Sequence, residues 1–207
     1  MKIIQKIALI LILITSYNCK AQTIVDLEGN CTGSNNNTYY KDINDNFNHY
    51  EGTWKYQNGN EVLLLKLRKV MNTTSNTTAD VLIGEYQYIN SSGIEKINTL
   101  SNFNINNIDQ SFHSIFVNCI DNYTEPICDI CDPSIKRILG IYDDPDKDVA
   151  GSLHIGKALN GGQEVLKIFI ITDGSQVINN STTTNLNLDI QYVGLTIPNG
   201  WYTLLRQ

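Results

Sequence analysis

The sequence predicts an all-β, antiparallel fold: a meander of about eight to ten strands closed into a barrel, with a β-sandwich as the alternative. Period-two alternation is the first reason, cleanest where Leu186, Leu188, Ile190 and Tyr192 alternate with Asn187, Asp189 and Gln191. The second is punctuation: turn-forming residues separate such runs at hairpin spacing, and Asn alone occurs 26 times in 207 residues. Helical periodicity is missing from the chain beyond its first 21 residues. Closure into a barrel is preferred because it removes exposed strand edges. An immunoglobulin-like sandwich would need a Cys, Trp, Cys pattern, but Trp54 precedes Cys119, Cys128 and Cys131 and no cysteine pair brackets it at the usual spacing.

Residues 1–21 read as a signal peptide, with Lys2 and Lys6 ahead of an apolar run from Ile7 to Ile14 that is too short to span a bilayer. Its end has two readings, a lipobox that would leave Cys19 acylated, or cleavage after Ala21. The address is therefore the cell envelope of a Gram-negative bacterium, with a lipid anchor at Cys19, or else a soluble periplasmic or secreted protein. Residues 22–48 are polar and Asn-rich and read as a lead-in from the membrane. A single β domain fills 49–207.

Its first strand, Gly52 to Gln57, leads through Asn58-Gly59, a tight-hairpin signal, into Glu61 to Val70. There Leu63, Leu65 and Leu67 share one face and Lys66 and Arg68 the other. Asp80 to Ile89 follows, with Leu82, Tyr86 and Tyr88 opposite Glu85 and Gln87, and Ser91-Ser92-Gly93 turns the chain into Ile94 to Leu100. Further strands are His113 to Cys119, Ile135 to Tyr142, Ser152 to Ala158, Glu164 to Thr172, Leu186 to Val193 and Trp201 to Arg206.

Fifteen basic against 21 acidic residues give a net charge of -6, and no Lys/Arg-rich run could neutralise a phosphate backbone, which argues against nucleic acid. Either processing route leaves Cys31, Cys119, Cys128 and Cys131, an even set that reads first as two disulfides in an exported chain. A metal site or a Cys128–Cys131 redox pair are the other readings. The redox reading lacks a helix N-terminus to lower a thiol pKa.

His49, His113 and His154 have no partners that converge in sequence, and there is no Gly-x-Ser-x-Gly elbow. Asp144, Asp146 and Asp148 alternate as a calcium loop would, but Val149 and Ile155 stand where an EF-hand needs Gly and Glu. Glu85, Glu95 and Glu164 offer carboxylates whose separation the sequence does not fix. Tyr86, Tyr88 and Tyr142 could line a barrel mouth or simply build its core. No catalytic residue, metal ligand or cofactor is assigned, and the chain is expected not to be an enzyme.

Two resemblances follow. Tyr40-Lys41-Asp42-x-Asn44 with Tyr50-Glu51-Gly52-Thr53-Trp54 resembles the opening of a domain-of-unknown-function family of small flavobacterial exported proteins, many of them lipoproteins. Leu82 to Tyr86, Gly93-Ile94-Glu95, Asn98-Thr99 and the ending Pro198-Asn199-Gly200 with Leu204, Arg206 and Gln207 are similar to later strands of that family, where Lys is commoner than Arg206. Cys119, Cys128 and Cys131 have no counterpart in it. More loosely, Gly52-Thr53-Trp54 resembles the first strand of lipocalin-like barrels, which implies that Trp54 plugs one barrel end and Arg206 covers its ring.

The leading functional expectation is a non-catalytic binding module whose barrel interior or mouth takes a small apolar or sugar ligand. Its rival is a structural or protein-interaction module with a filled barrel and an envelope protein partner. An exported hydrolase is third.

Overall fold

A computed structural model describes residues 5, 22–31, 37–74, 77–107, 109–121, 125–172, 176–177, 191–192 and 194–207. Residues 1–21, read as a signal peptide, lie outside the described residues except residue 5, and Cys19 is among those outside. Among the described residues, no helix is long and apolar enough to cross a membrane.

Among the described residues, thirteen strands follow in chain order. They are β1 (Thr23–Asp26), β2 (Thr38–Lys41), β3 (Gly52–Asn58), β4 (Glu61–Thr73), β5 (Thr77–Ile89), β6 (Glu95–Asn98) and β7 (Ile115–Asp121). The rest are β8 (Arg137–Asp144), β9 (Val149–Asn160), β10 (Gln163–Thr172), β11 (Gln176–Val177), β12 (Gln191–Tyr192) and β13 (Gly200–Arg206). Eight of them close a barrel in the order β3, β4, β5, β7, β8, β9, β10, β13. Every neighbouring pair is antiparallel, and β13 returns to β3 through Leu205↔Lys55 and Arg206↔Trp54. The chain thus forms the closed antiparallel meander that its alternation predicts.

Local chemistry sets the register. Asn58 faces Glu61 across a two-residue loop in which Gly59 takes φ +60°, a conformation that suits the twist of flanking strands. Once that hairpin is fixed, Leu63, Leu65 and Leu67 must share one face, and all three are buried inside the barrel. Each contributes about 1.5–3 kcal/mol of transfer free energy.

Strand β5 departs from the expected half-buried pattern, because Val81, Ile83 and Glu85 are as buried as Leu82 and Tyr86 on the other face. Its long edge is shared among three partners: β2 runs parallel to Thr77–Ala79, β7 pairs with Leu82–Gly84, and β6 pairs with Gln87–Ile89. The 3-10 turns Leu100–Asn104 and Gln110–Phe112 lie in the connection from β6 to β7.

The segment read as a polar lead-in carries structure that belongs to the barrel. Strand β1 pairs parallel with β2, and Leu27, Tyr40 and Phe47 are buried in the main core. A buried carboxylate anchors this limb: Asp42 accepts from the backbone N–H groups of Asn46 (2.8 Å) and Phe47 (2.9 Å) and from Lys69 Nζ (2.9 Å). Asp80 in turn accepts from the Asp42 N–H (3.0 Å) and the Tyr39 hydroxyl (2.7 Å).

Two strand boundaries also move. His113 was expected on a strand but caps the 3-10 turn before β7, and Leu100 opens a 3-10 turn instead of ending β6. The predicted strand Leu186 to Val193 lies outside the described residues except Gln191 and Tyr192, which pair with β11.

Candidate functional site

The barrel interior is built from large side chains. Trp54, Tyr50, Tyr86, Tyr142, Leu63 and Leu67 are each under 2% exposed. Near one end, Trp54 donates its indole N–H to the Tyr50 carbonyl (2.8 Å), and the Arg206 guanidinium lies 5.2 Å from the Trp54 ring centroid. Arg206 is fixed there by the Glu51 carbonyl (3.3 Å) and the Glu164 carboxylate (3.2 Å). Gly52 at the head of this motif has φ +127°, which disfavours any side chain.

Tyrosines gather toward the other end. Tyr88 donates to Glu61 (2.7 Å), and Tyr56 stacks edge-on against Tyr202 with centroids 5.0 Å apart. Tyr86 and Tyr142 meet at 4.8 Å, and Leu195 enters the space where Gly151 has no side chain. Burial, followed by the bond to Glu61, pushes the Tyr88 hydroxyl well above its ordinary value. Tyr86, Tyr88 and Tyr142 therefore build core. They do not frame an open mouth.

The acidic residues of the β8–β9 turn take different roles. Asp144 is buried and accepts from the Thr196 N–H, while Asp148 takes the left-handed conformation in the β8–β9 turn. Burial, then the nearby Asp148, raises the Asp143 carboxyl. Among the described residues, no group of three or more His, Cys, Asp or Glu is arranged to hold a metal ion.

Cys31 pairs with Cys119, and Cys128 pairs with Cys131. The first bridge fastens the end of the β1 limb to β7, beside the Gly29 N–H that donates to the Ile120 carbonyl (3.0 Å).

One cluster escaped sequence reasoning. Glu85 accepts from His113 Nδ1 (2.7 Å) and from the Ser114 hydroxyl (2.8 Å), with His113 and Glu85 closed off from solvent. The serine proton is held by the carboxylate and not by the imidazole, so this arrangement does not activate Ser114 as a nucleophile. His113 Nε2 is buried and without a partner.

Among the described residues, part of the outer wall leaves apolar side chains open. A pocket of about 370 Å3 lies on the outside of the barrel, floored by Leu139 and Ile141 of β8, walled by Phe116 and Cys119 of β7 and Ser152 of β9, and rimmed by Cys31. Strand register extends it into two cross-strand rows. Phe116, Ile141, Ser152 and Ile171 form one, and Leu139, His154, Phe169 and Trp201 the other. In the second row the His154 and Phe169 rings are 6.3 Å apart, and Phe169 and Trp201 5.2 Å. Lys167 reaches over the Trp201 ring at 5.5 Å and donates to Thr203 (2.8 Å); burial lowers its pKa.

No curated protein and no solved structure matches the chain. A family of unknown function, DUF6705, matches it over residues 1–207, and the chain belongs to that family.

Proposed function

We propose that this chain is an exported, non-catalytic module of the cell envelope that holds a protein partner on the outer wall of a filled barrel. The observation that carries the reading is the pocket on β7–β9 with its two rows, where a solvated antiparallel wall would carry polar side chains. Ile141 is 43% exposed and Ile171 37%. A pocket beside half-buried aromatics is the anatomy of a binding hot spot, which seats an anchor side chain of the partner and excludes water around it. Export is supported by the apolar run at residues 7–14 and by two disulfides, which persist in oxidising compartments. A lipid anchor at Cys19 would hold the module at the membrane.

A second reading places a small apolar or sugar ligand in the same pocket, since 370 Å3 falls within the range of about 300–1,000 Å3 for ligand sites. Native mass spectrometry of the protein recovered from its own membrane fraction, beside the variant Ile141→Arg, separates the two. The expected result is a complex with a second protein that the variant loses. A small-molecule mass released on denaturation would support the second reading instead. Wild type and variant behaving alike would remove the outer wall from both.

A further inference from the structure

We propose that Cys128–Cys131 is an exchangeable redox site that accepts electrons from a protein dithiol, whereas Cys31–Cys119 is structural. The two bridges differ in three ways that govern thiol–disulfide exchange. Cys128 and Cys131 are 3 residues apart and Cys31 and Cys119 are 88 apart, so opening the first releases little chain while opening the second frees a limb of the fold.

The second difference is the thiolate that must leave. Attack on the exposed Cys31 would expel Cys119, which is 3% exposed and beside Ile120, and burial in apolar surroundings makes a poor leaving thiolate. Cys131 is half-exposed, and Arg137, the first residue of β8, packs its stem beside it. The Arg137 stem and the Cys131 sulfur meet over Gly156, where a Cβ would stand 3.7 Å from the first and only 2.4 Å from the second. The Arg137 guanidinium then donates to the Pro126 carbonyl (2.9 Å), two residues before Cys128.

The third is access. Cys131 is seated, with a bridge to Ala158 on β9 and a backbone bond from its N–H to the Cys128 carbonyl (3.3 Å). Cys128 is half-exposed and stands between Ile127 and Ile130, which are 64% and 49% exposed and offer apolar contact to a partner at the sulfur.

These features order the step. A partner thiolate attacks Cys128 Sγ, the Cys128–Cys131 bond breaks, and its electron pair leaves on Cys131, the half-exposed sulfur, as thiolate. The partner's second thiolate then attacks its own sulfur in the mixed disulfide and expels Cys128. The partner dithiol becomes a disulfide, its two protons end on Cys128 and Cys131, and this chain is reduced by two electrons.

The test uses the folded mature protein with reduced thioredoxin as the dithiol, followed by acid quench, alkylation and peptide masses. Cys128 and Cys131 should be labelled at least about tenfold faster than Cys31 and Cys119, with one thioredoxin oxidised per chain and the circular dichroism unchanged. A short pulse of reduced glutathione on the wild-type disulfide, quenched in acid, should leave the mixed disulfide on Cys128 at least about tenfold more than on Cys131. Equal labelling of the two bridges, labelling only on global unfolding, or faster glutathionylation of Cys131 would each overturn the proposal.

Discussion

Removing each disulfide in turn should destabilise the protein very unequally. In the loop-closure description, a cross-link lowers the entropy of the unfolded chain in proportion to the logarithm of the loop it closes. For the 88-residue separation of Cys31 and Cys119 the relation gives about 4.6 kcal/mol at 25 °C. For the 3-residue separation of Cys128 and Cys131 it gives about 1.6 kcal/mol. Against a typical domain stability of about 5–15 kcal/mol, the first loss is a third or more of the whole and the second is tolerable. The variants are Cys31→Ala with Cys119→Ala, and Cys128→Ala with Cys131→Ala, each compared with wild type by urea unfolding. The long bridge also holds the limb on which Glu28 meets Ile120, so amide exchange in β1 should rise in the first variant and not in the second. Equal losses, or a larger loss from the short bridge, would show that loop closure does not set the difference and would remove the structural role assigned to Cys31–Cys119.

Gly140→Ala should cost about 1–3 kcal/mol in urea unfolding, because its Cβ would stand 2.4 Å from the Phe116 carbonyl and 2.7 Å from the Val117 Cα, and neither can swing aside. Arg206→Ala should cost about 1 kcal/mol, and Arg206→Lys less, since Lys retains the charge over Trp54 but not both hydrogen bonds. The Lys69 ion pairs should fail at both ends of the pH scale. Burial opposes the Lys69 charge, but its bonds to Asp42 and Asp45 outweigh burial and hold its pKa above the ordinary 10.5. That contribution is whole below pH 10.5 and disappears as pH rises through the raised value. The Lys69 hydrogen bond holds Asp45 below its ordinary 3.8, so its contribution is whole above pH 3.8 and disappears as pH falls. The difference in Tm between wild type and Lys69→Met should be flat between and narrow outside those limits; a difference that does not change with pH would refute the pairing.

The barrel was legible because its core obeys a period of two and its hairpins announce themselves. Leu63, Leu65 and Leu67 after Asn58-Gly59 leave one register in which apolar side chains meet. The β1–β2 limb was not legible, since Leu27, Tyr40 and Phe47 stand singly among polar residues and are recruited to the core by Asp42, whose partners Asn46, Phe47 and Lys69 lie 4, 5 and 27 residues away. The Glu85 cluster joins positions 28 and 29 residues apart with no motif around either. The outer rows take single residues from four strands, so only three-dimensional register assembles them. A signal for them did exist: Ile168 to Ile171 is apolar at four consecutive positions, which a strand solvated on one face would not be.

That run also bears on where the proposed partner would bind. Along β10, Ile168 and Ile170 fill the barrel, so Phe169 and Ile171 have to point outward. The interior next to them is occupied by Tyr202, Leu153 and Ile155, and one end is held by Trp54 under Arg206. A ligand entering the barrel would have to displace core side chains at roughly 2–5 kcal/mol each, judged by the cost of truncating them. Binding on the wall leaves those core side chains in place and covers Ile141 and Ile171, 43% and 37% exposed. The Cys31–Cys119 bridge rims the same pocket while holding the β1 limb to β7, so the shape of the pocket depends on that limb being docked. Loss of the long bridge should therefore weaken partner binding as well as stability, whereas loss of Cys128–Cys131, which does not line the pocket, should leave partner binding intact.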